Sequence, residues 1–202
     1  MKKILLAFSA VIALLSFNSC KKDPPVALFT TAETSYKMNE PVVFVNQSVN
    51  AKDFAWDFGD GNTSSEENPT HAYATAGDFA VTLTSNGSGG TDFITDSINI
   101  MPDLTGMWYT TLSSGGGFNN FTGTMNMVHH EDNTLTGSFV YNDGLRTATL
   151  KSASQVSGNQ VTIEWDAPAY KFKATVNAAA SFMSGSYSGT NGQSGKWSAT
   201  KL

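Results

Sequence analysis

The stretch Trp56-Asp57-Phe58-Gly59-Asp60-Gly61 decides how the first half of this chain folds. Trp56 and Phe58 stand two residues apart, so on a strand both rings point to one face. Gly59 and Gly61 flank Asp60, the composition of a tight turn that needs positive φ. The expectation is a strand that buries two rings and then reverses sharply. Upstream, Ala27-Leu28-Phe29-Thr30 reads as an opening strand. In Glu40 to Asn46, Val42 and Phe44 share one face while Val43 and Val45 share the other. Downstream come Pro69, His71, Tyr73 and Gly77, then an alternating run with Phe79, Val81 and Leu83 on the inner side. Asn86 to Gly90 is a loop, and Phe93 to Ile100 closes the pattern. About seven short strands with such turns predict a β-sandwich of immunoglobulin-like architecture over residues 26–101.

The same residues closely resemble the PKD (polycystic kidney disease) repeat, whose hallmark is W-D-F-G-D-G followed by P-x-H-x-Y and G-x-[YF]-x-V-x-L. Trp56, Asp57, Phe58, Gly59, Asp60, Gly61, Pro69, His71 and Tyr73 carry the likeness, in order and at suitable spacing. It implies the sandwich fold and names no chemistry. Some PKD-like modules bind calcium near this loop. Asn46, Ser48, Asp57 and Asp60 supply oxygens of the kind Ca²⁺ prefers. The competing reading is that Asp57 and Asp60 accept hydrogen bonds from the turn's own amides. His71 reads as a packing and hydrogen-bonding residue beside Tyr73, the alternative being a ligand or base. No cofactor is required.

Lys2 and Lys3 followed by the apolar run Ile4 to Phe17 form an export signal. Ser16-Phe17-Asn18-Ser19-Cys20 resembles a bacterial lipobox, in which cleavage precedes a cysteine that then receives lipid. Cys20 is the sole cysteine of the chain, so no internal disulfide can form. The alternative is an ordinary secretory signal with an incidental thiol. On the lipobox reading, residues 1–19 are a signal peptide and residues 20–25 are the lipidated cysteine with a short proline-containing tether. Lysines after the cysteine favour the outer membrane and leave the leaflet open.

Residues 103–202 read as eight further strands, at 104–112, 119–128, 133–141, 145–152, 159–166, 170–177, 181–188 and 194–201. The separators are turn chemistry, Asp143-Gly144 above all. Consecutive strands with short links form a meander, and eight close naturally into a barrel. The fold class is therefore all-β, an N-terminal immunoglobulin-like β-sandwich followed by a small antiparallel eight-stranded up-and-down β-barrel. Leu104-Thr105-Gly106-Met107-Trp108-Tyr109, with Leu135 to Phe139, is similar to the avidin and lipocalin (calycin) barrels, which open with G-x-W. By position, Thr110 stands where avidins place a polar residue, Ser114 matches a ligand serine and Phe139 replaces a tyrosine. A ligand in the barrel would sit among Trp108, Thr110, Tyr141, Trp165 and Trp197, beside Met125 and Met127. The alternative is that these side chains fill the interior. His129 and His130 point to opposite faces of a strand and cannot chelate together. They read as surface turn residues.

A net charge of −5 lacks the basic footprint that nucleic acid needs. The chain has no G-x-S-x-G elbow, phosphate loop or HExxH helix. The expectation is a non-enzymatic cell-envelope lipoprotein whose spacer domain holds a small barrel away from the membrane for ligand or glycan binding. Two alternatives stand beside it: a structural or adhesion scaffold in an envelope protein complex, and an accessory component of a polysaccharide-degrading system. Expected partners are the membrane, through the lipid anchor, and envelope proteins or glycans, with no nucleic acid.

Overall fold

The computed structural model describes residues 22–114, 121–144, 147–151, 154–166, 170–190 and 192–202. These residues form strands and turns throughout. The first nine strands are β1 (Phe29–Thr30), β2 (Ser35–Lys37), β3 (Val42–Val43), β4 (Val45–Asn46), β5 (Asp53–Asp57), β6 (Thr63–Ser64), β7 (Thr70–His71), β8 (Gly77–Gly87) and β9 (Gly90–Met101). One sheet has the order β2-β9-β8-β5-β6, with β2 parallel to β9. Facing it are the pairs β1-β4 and β3-β7, joined through the continuous segment 42–46. Val42, Phe44, Trp56, Phe58, Val81, Leu83, Ile98 and Ile100 are buried between the two layers. The alternation read from the sequence puts these side chains inside, which makes this the expected immunoglobulin-like sandwich.

Gly59 shows why the turn after Trp56 and Phe58 is glycine-bound. Its φ is +78°, and a Cβ there would lie 2.6 Å from the Ala80 carbonyl oxygen. Both the backbone conformation and the space exclude a side chain.

The two poles of this domain differ. At one, Val26 bridges Val49, the Asn50 side chain donates to the Pro24 carbonyl at 3.2 Å, and the β8-β9 hairpin turns over. Pro25 is buried here, so the last part of the expected tether belongs to the folded domain. At the other, β9 ends at Met101 and the chain passes through buried Pro102 into the second domain. The 12 residues of β9 span the domain, roughly 40 Å at strand rise.

The second domain contains β10 (Gly106–Ser114), β11 (Phe121–His129), β12 (Leu135–Tyr141), β13 (Thr147–Thr149), β14 (Gln155–Ser157), β15 (Gln160–Glu164), β16 (Tyr170–Val176), β17 (Phe182–Gly189) and β18 (Ser194–Lys201). The sheet order is β13-β12-β11-β10-β18-β17-β16-β15-β14, antiparallel at every step. Its two ends meet. Leu150 donates to Gly137 on β12 and bridges Trp165 beyond β15, while Gln155 bridges Thr134 next to β12 and pairs with Thr162 on β15. β13 and β14 are therefore two halves of one interrupted strand between β12 and β15. The sheet curls into an eight-stranded up-and-down barrel, closed by β10 against β18. The expected fourth strand, 145–152, is displaced toward the C-terminus and broken. One cluster of inward side chains, from Leu104 and Trp108 to Trp197 and Ala199, packs the interior.

Candidate functional site

At the turn following β5, Asp57 Oδ1 accepts from the Gly59 amide at 2.9 Å, and Asp60 Oδ1 accepts from the Asn62 amide at 3.0 Å. Asp60 Oδ2 meets His71 Nε2 at 2.8 Å. His71 stacks on Phe58 with centroids 4.2 Å apart and meets Tyr73 edge-on at 4.7 Å. Tyr73 donates to the Phe58 carbonyl, while Trp56 Nε1 donates to the Glu66 carbonyl at 2.9 Å. Burial pushes the Asp60 carboxyl up, but the bonds from His71 and Asn62 outweigh it and hold the group below the usual range. Burial, with the charges of Asp60 and Asp57 behind it, drives the Tyr73 phenol well above the ordinary value. This arrangement is a strut. Asp57 Oδ1 and Asp60 Oδ1 accept from turn amides and Asp60 Oδ2 meets Asn62 and His71, whereas Asn46 Oδ1 accepts from the Ser48 amide and Ser48 Oγ meets Ser85 Oγ at 2.9 Å. The four residues considered for calcium thus serve separate local networks. Among the described residues, no three of His, Cys, Asp or Glu gather at metal-binding range.

The barrel residues considered for a ligand divide into two ends. Trp108 is fully buried in the half nearer the first domain, its indole donating to the Leu104 carbonyl at 3.0 Å with the Lys201 ammonium over its ring. Tyr141, Trp165 and Trp197 lie in the opposite half. There they join Phe139, Tyr170, Phe172 and Tyr187 in a belt of seven rings, with neighbouring centroids between 4.8 Å and 6.2 Å. Tyr170 donates to Gln193 Oε1 across the mouth. Tyr141 and Tyr170 are half-buried, and Trp165 and Tyr187 lie just beneath. Burial, then the neighbouring Tyr170, holds the Tyr187 phenol above its usual range. Thr110 is buried between the two ends, and its hydroxyl has no partner. Cys20 and the side chain of Ser114 lie outside the described residues.

Tyr170, Phe172 and Tyr187 belong to this belt but were not among the candidate ligand residues. The inward alternation of Tyr170 and Phe172 was visible in the sequence. What the pattern could not give is that β16, β17 and β18 carry their rings to the same end.

His129 corrects the surface-turn expectation. It is 4% exposed, facing the barrel interior near the first domain, and neither ring nitrogen finds a partner in bonding geometry. Its carbonyl accepts from Lys37 Nζ at 3.1 Å across the domain junction. Burial first, then the Lys37 charge, lowers its basicity. His130 does lie on the surface, bonded to Thr136.

Comparison with known proteins places the first domain. The PKD domain family model matches residues 22–101. A microbial collagenase of Vibrio alginolyticus is 37% identical over 65 residues, and this chain spans 8% of its length. Among solved structures, the PKD1 domain of Vibrio anguillarum Epp is 31% identical at a TM-score of 0.34, covering 39% of this chain and 95% of that one. A structure described as a carbohydrate-binding module of the β-sandwich superfamily aligns at 13% identity and a TM-score of 0.39, covering 90% of this chain and 93% of that one.

Proposed function

Residues 22–101 are a PKD domain, and from that premise we propose that the chain is an envelope lipoprotein in which this domain carries a glycan-binding barrel. The reading is non-catalytic. Cys20 is the anchor, the PKD domain sets a separation of roughly 40 Å along its strands, and the barrel turns its aromatic belt away from the PKD domain. That belt is the observation that carries the proposal. Tyrosine and tryptophan offer flat apolar faces with polar tips, the combination that stacks on a sugar ring while hydrogen-bonding its hydroxyls. The packed interior favours a ligand lying across the mouth, against Tyr141, Tyr170 and Trp165, over one swallowed whole. Mouths of β-barrels are common binding sites.

The test is titration of the mature protein with a panel of oligosaccharides, read by tryptophan fluorescence and calorimetry. Fatty acids, haem and steroids serve as the contrast set. Binding of a glycan is expected, weakened about five- to thirtyfold by Tyr170→Ala, in line with the loss of roughly 1–2 kcal/mol of ring contact. Silence across the glycans ends the proposal.

A second reading, a scaffold within an envelope complex, is supported by a different observation. Met107, Tyr109, Phe182 and Leu202 stand exposed on the outside of the barrel. Register brings Tyr109 and Phe182 to either side of Thr200, while the Leu202 amide donates to the Met107 carbonyl. Such a patch suits a protein partner. Co-purification of one envelope protein, lost in Tyr109→Asp, would favour it.

A further inference from the structure

The two outer faces of the PKD sandwich differ in chemistry. On the larger sheet the outward positions of β8 and β9 include Asp78, Thr82, Thr84, Thr95, Ser97 and Asn99, with Ala80 and Phe93 as apolar exceptions. The smaller layer instead presents Val26, Leu28, Val43, Val45 and Val49, each between 44% and 54% exposed. Backbone pairing makes them neighbours: Val26 bridges Val49, Thr30 pairs with Val45, and Val43 pairs with Thr70. No charged side chain stands among these positions. β-Propensity accounts for valine on a strand, but not for an aliphatic surface on one sheet and a hydroxyl-rich surface on the other.

We propose that this aliphatic face rests on the lipid surface, so that the PKD domain lies along the membrane with the barrel carried to one side. The inference deepens the lipoprotein reading and depends on Cys20 being the anchor. The reach of the chain supplies the argument. Asp23 and Pro24 are already seated on the domain, since the Asn50 side chain holds the Pro24 carbonyl and a Cβ at Gly89 would lie 2.2 Å from the Asp23 carbonyl oxygen. Only Lys21 and Lys22 separate that seat from Cys20. Three extended residues reach about 10 Å. A domain tied that closely must touch the bilayer somewhere, and the aliphatic face begins at the tied pole with Val26 and Val49. Lys22 falls at the same pole and Lys21 precedes it in the sequence, so anionic headgroups attract the chain there. An apolar face seated in the headgroup boundary with a lysine at its edge matches how interfacial segments bind.

The test uses residues 20–202 coupled through the Cys20 thiol to a maleimide lipid, in vesicles of phosphatidylethanolamine and phosphatidylglycerol with brominated acyl chains. The four native tryptophans are buried, at 0% to 7% exposure, so an added exposed one reports its own surroundings. Leu28→Trp emission is expected to fall about twofold on anchoring, as a ring entering the headgroup boundary requires. Phe93→Trp, on the opposite sheet, should be unchanged. Adding Val43→Asp and Val45→Asp should restore the Leu28→Trp signal without unfolding the domain, because both positions are solvent-facing. An unquenched Leu28→Trp, or equal quenching at both reporters, overturns the proposal. Mass spectrometry of the chain from its native envelope judges the anchor separately: an unmodified Cys20 would sink the lipoprotein reading, while the vesicle result judges the face alone.

Discussion

His129 illustrates how a single buried side chain sets a condition on the whole fold. Its imidazole is enclosed with neither ring nitrogen in full bonding geometry, Lys37 bears on it from the PKD side, and Asp103, the Asn133 side chain and the Pro102 backbone pull the other way. Its neighbours Glu131 and Asp132 are exposed, and His130 is bonded outward to Thr136. Burial therefore favours the neutral ring and depresses the folded-state pKa below the ordinary value near 6.5. The unfolded chain then binds the proton more readily, so stability is full above about pH 6.5 and declines as pH falls below it. Thermal melts between pH 7.5 and 5 should show a falling midpoint, with a shallower slope in His129→Gln. Equal slopes in the two proteins would refute this account. The Asp60 carboxylate acts the same way lower down, since its depressed pKa adds stability that is lost only as pH drops below about 4.

The interrupted strand between β12 and β15 is an element that required its own repair. Where β13 stops and β14 has not begun, Ser154 is fully buried, and its hydroxyl accepts from the Glu164 amide at 3.0 Å while its carbonyl accepts from Leu135. A side chain thus replaces a missing rung of the backbone ladder. Ser154→Val should cost about 1–3 kcal/mol, because it strands the Glu164 amide without an acceptor. Urea denaturation measures this directly, and an unchanged midpoint would show the hydroxyl to be dispensable. The sequence made the other strands of the barrel legible through strict alternation, as in Tyr170, Phe172, Ala174 and Val176 against Lys171, Lys173 and Thr175. It also placed the Asp143-Gly144 turn, where the Gly144 amide donates to the Tyr141 carbonyl. The break was hidden because apolar spacing marks which side chains face inward, not whether neighbouring backbones stay in register. The same blindness put His129 on the surface: histidine is polar by composition, yet its strand position points it inside. The turn at Gly59 was fully readable because positive φ leaves a compositional signature, whereas the aromatic belt depends on pairing across five strands.

At the scale of the molecule, the two domains are packed together as well as joined. Met38 lies against both hydrophobic cores, the Lys37 ammonium donates to the His129 carbonyl, and the Ala76 amide donates to the Ala178 carbonyl. One calorimetric transition is therefore expected for the intact chain, separating into two when Met38→Ala loosens the shared contact. Two transitions already present in the unaltered protein would mean that the domains melt independently. The closure of β10 against β18 has a further consequence, for biosynthesis. Ser114 ends the first of these strands and Ser194 begins the other, 80 positions later. At ribosomal rates of about 5–20 residues per second, roughly ten seconds pass with the newborn domain still open along one seam. Throughout that interval β10 offers unpaired amides and carbonyls to any passing strand, which makes this seam the place where a chaperone, or a mispaired neighbour, would take hold.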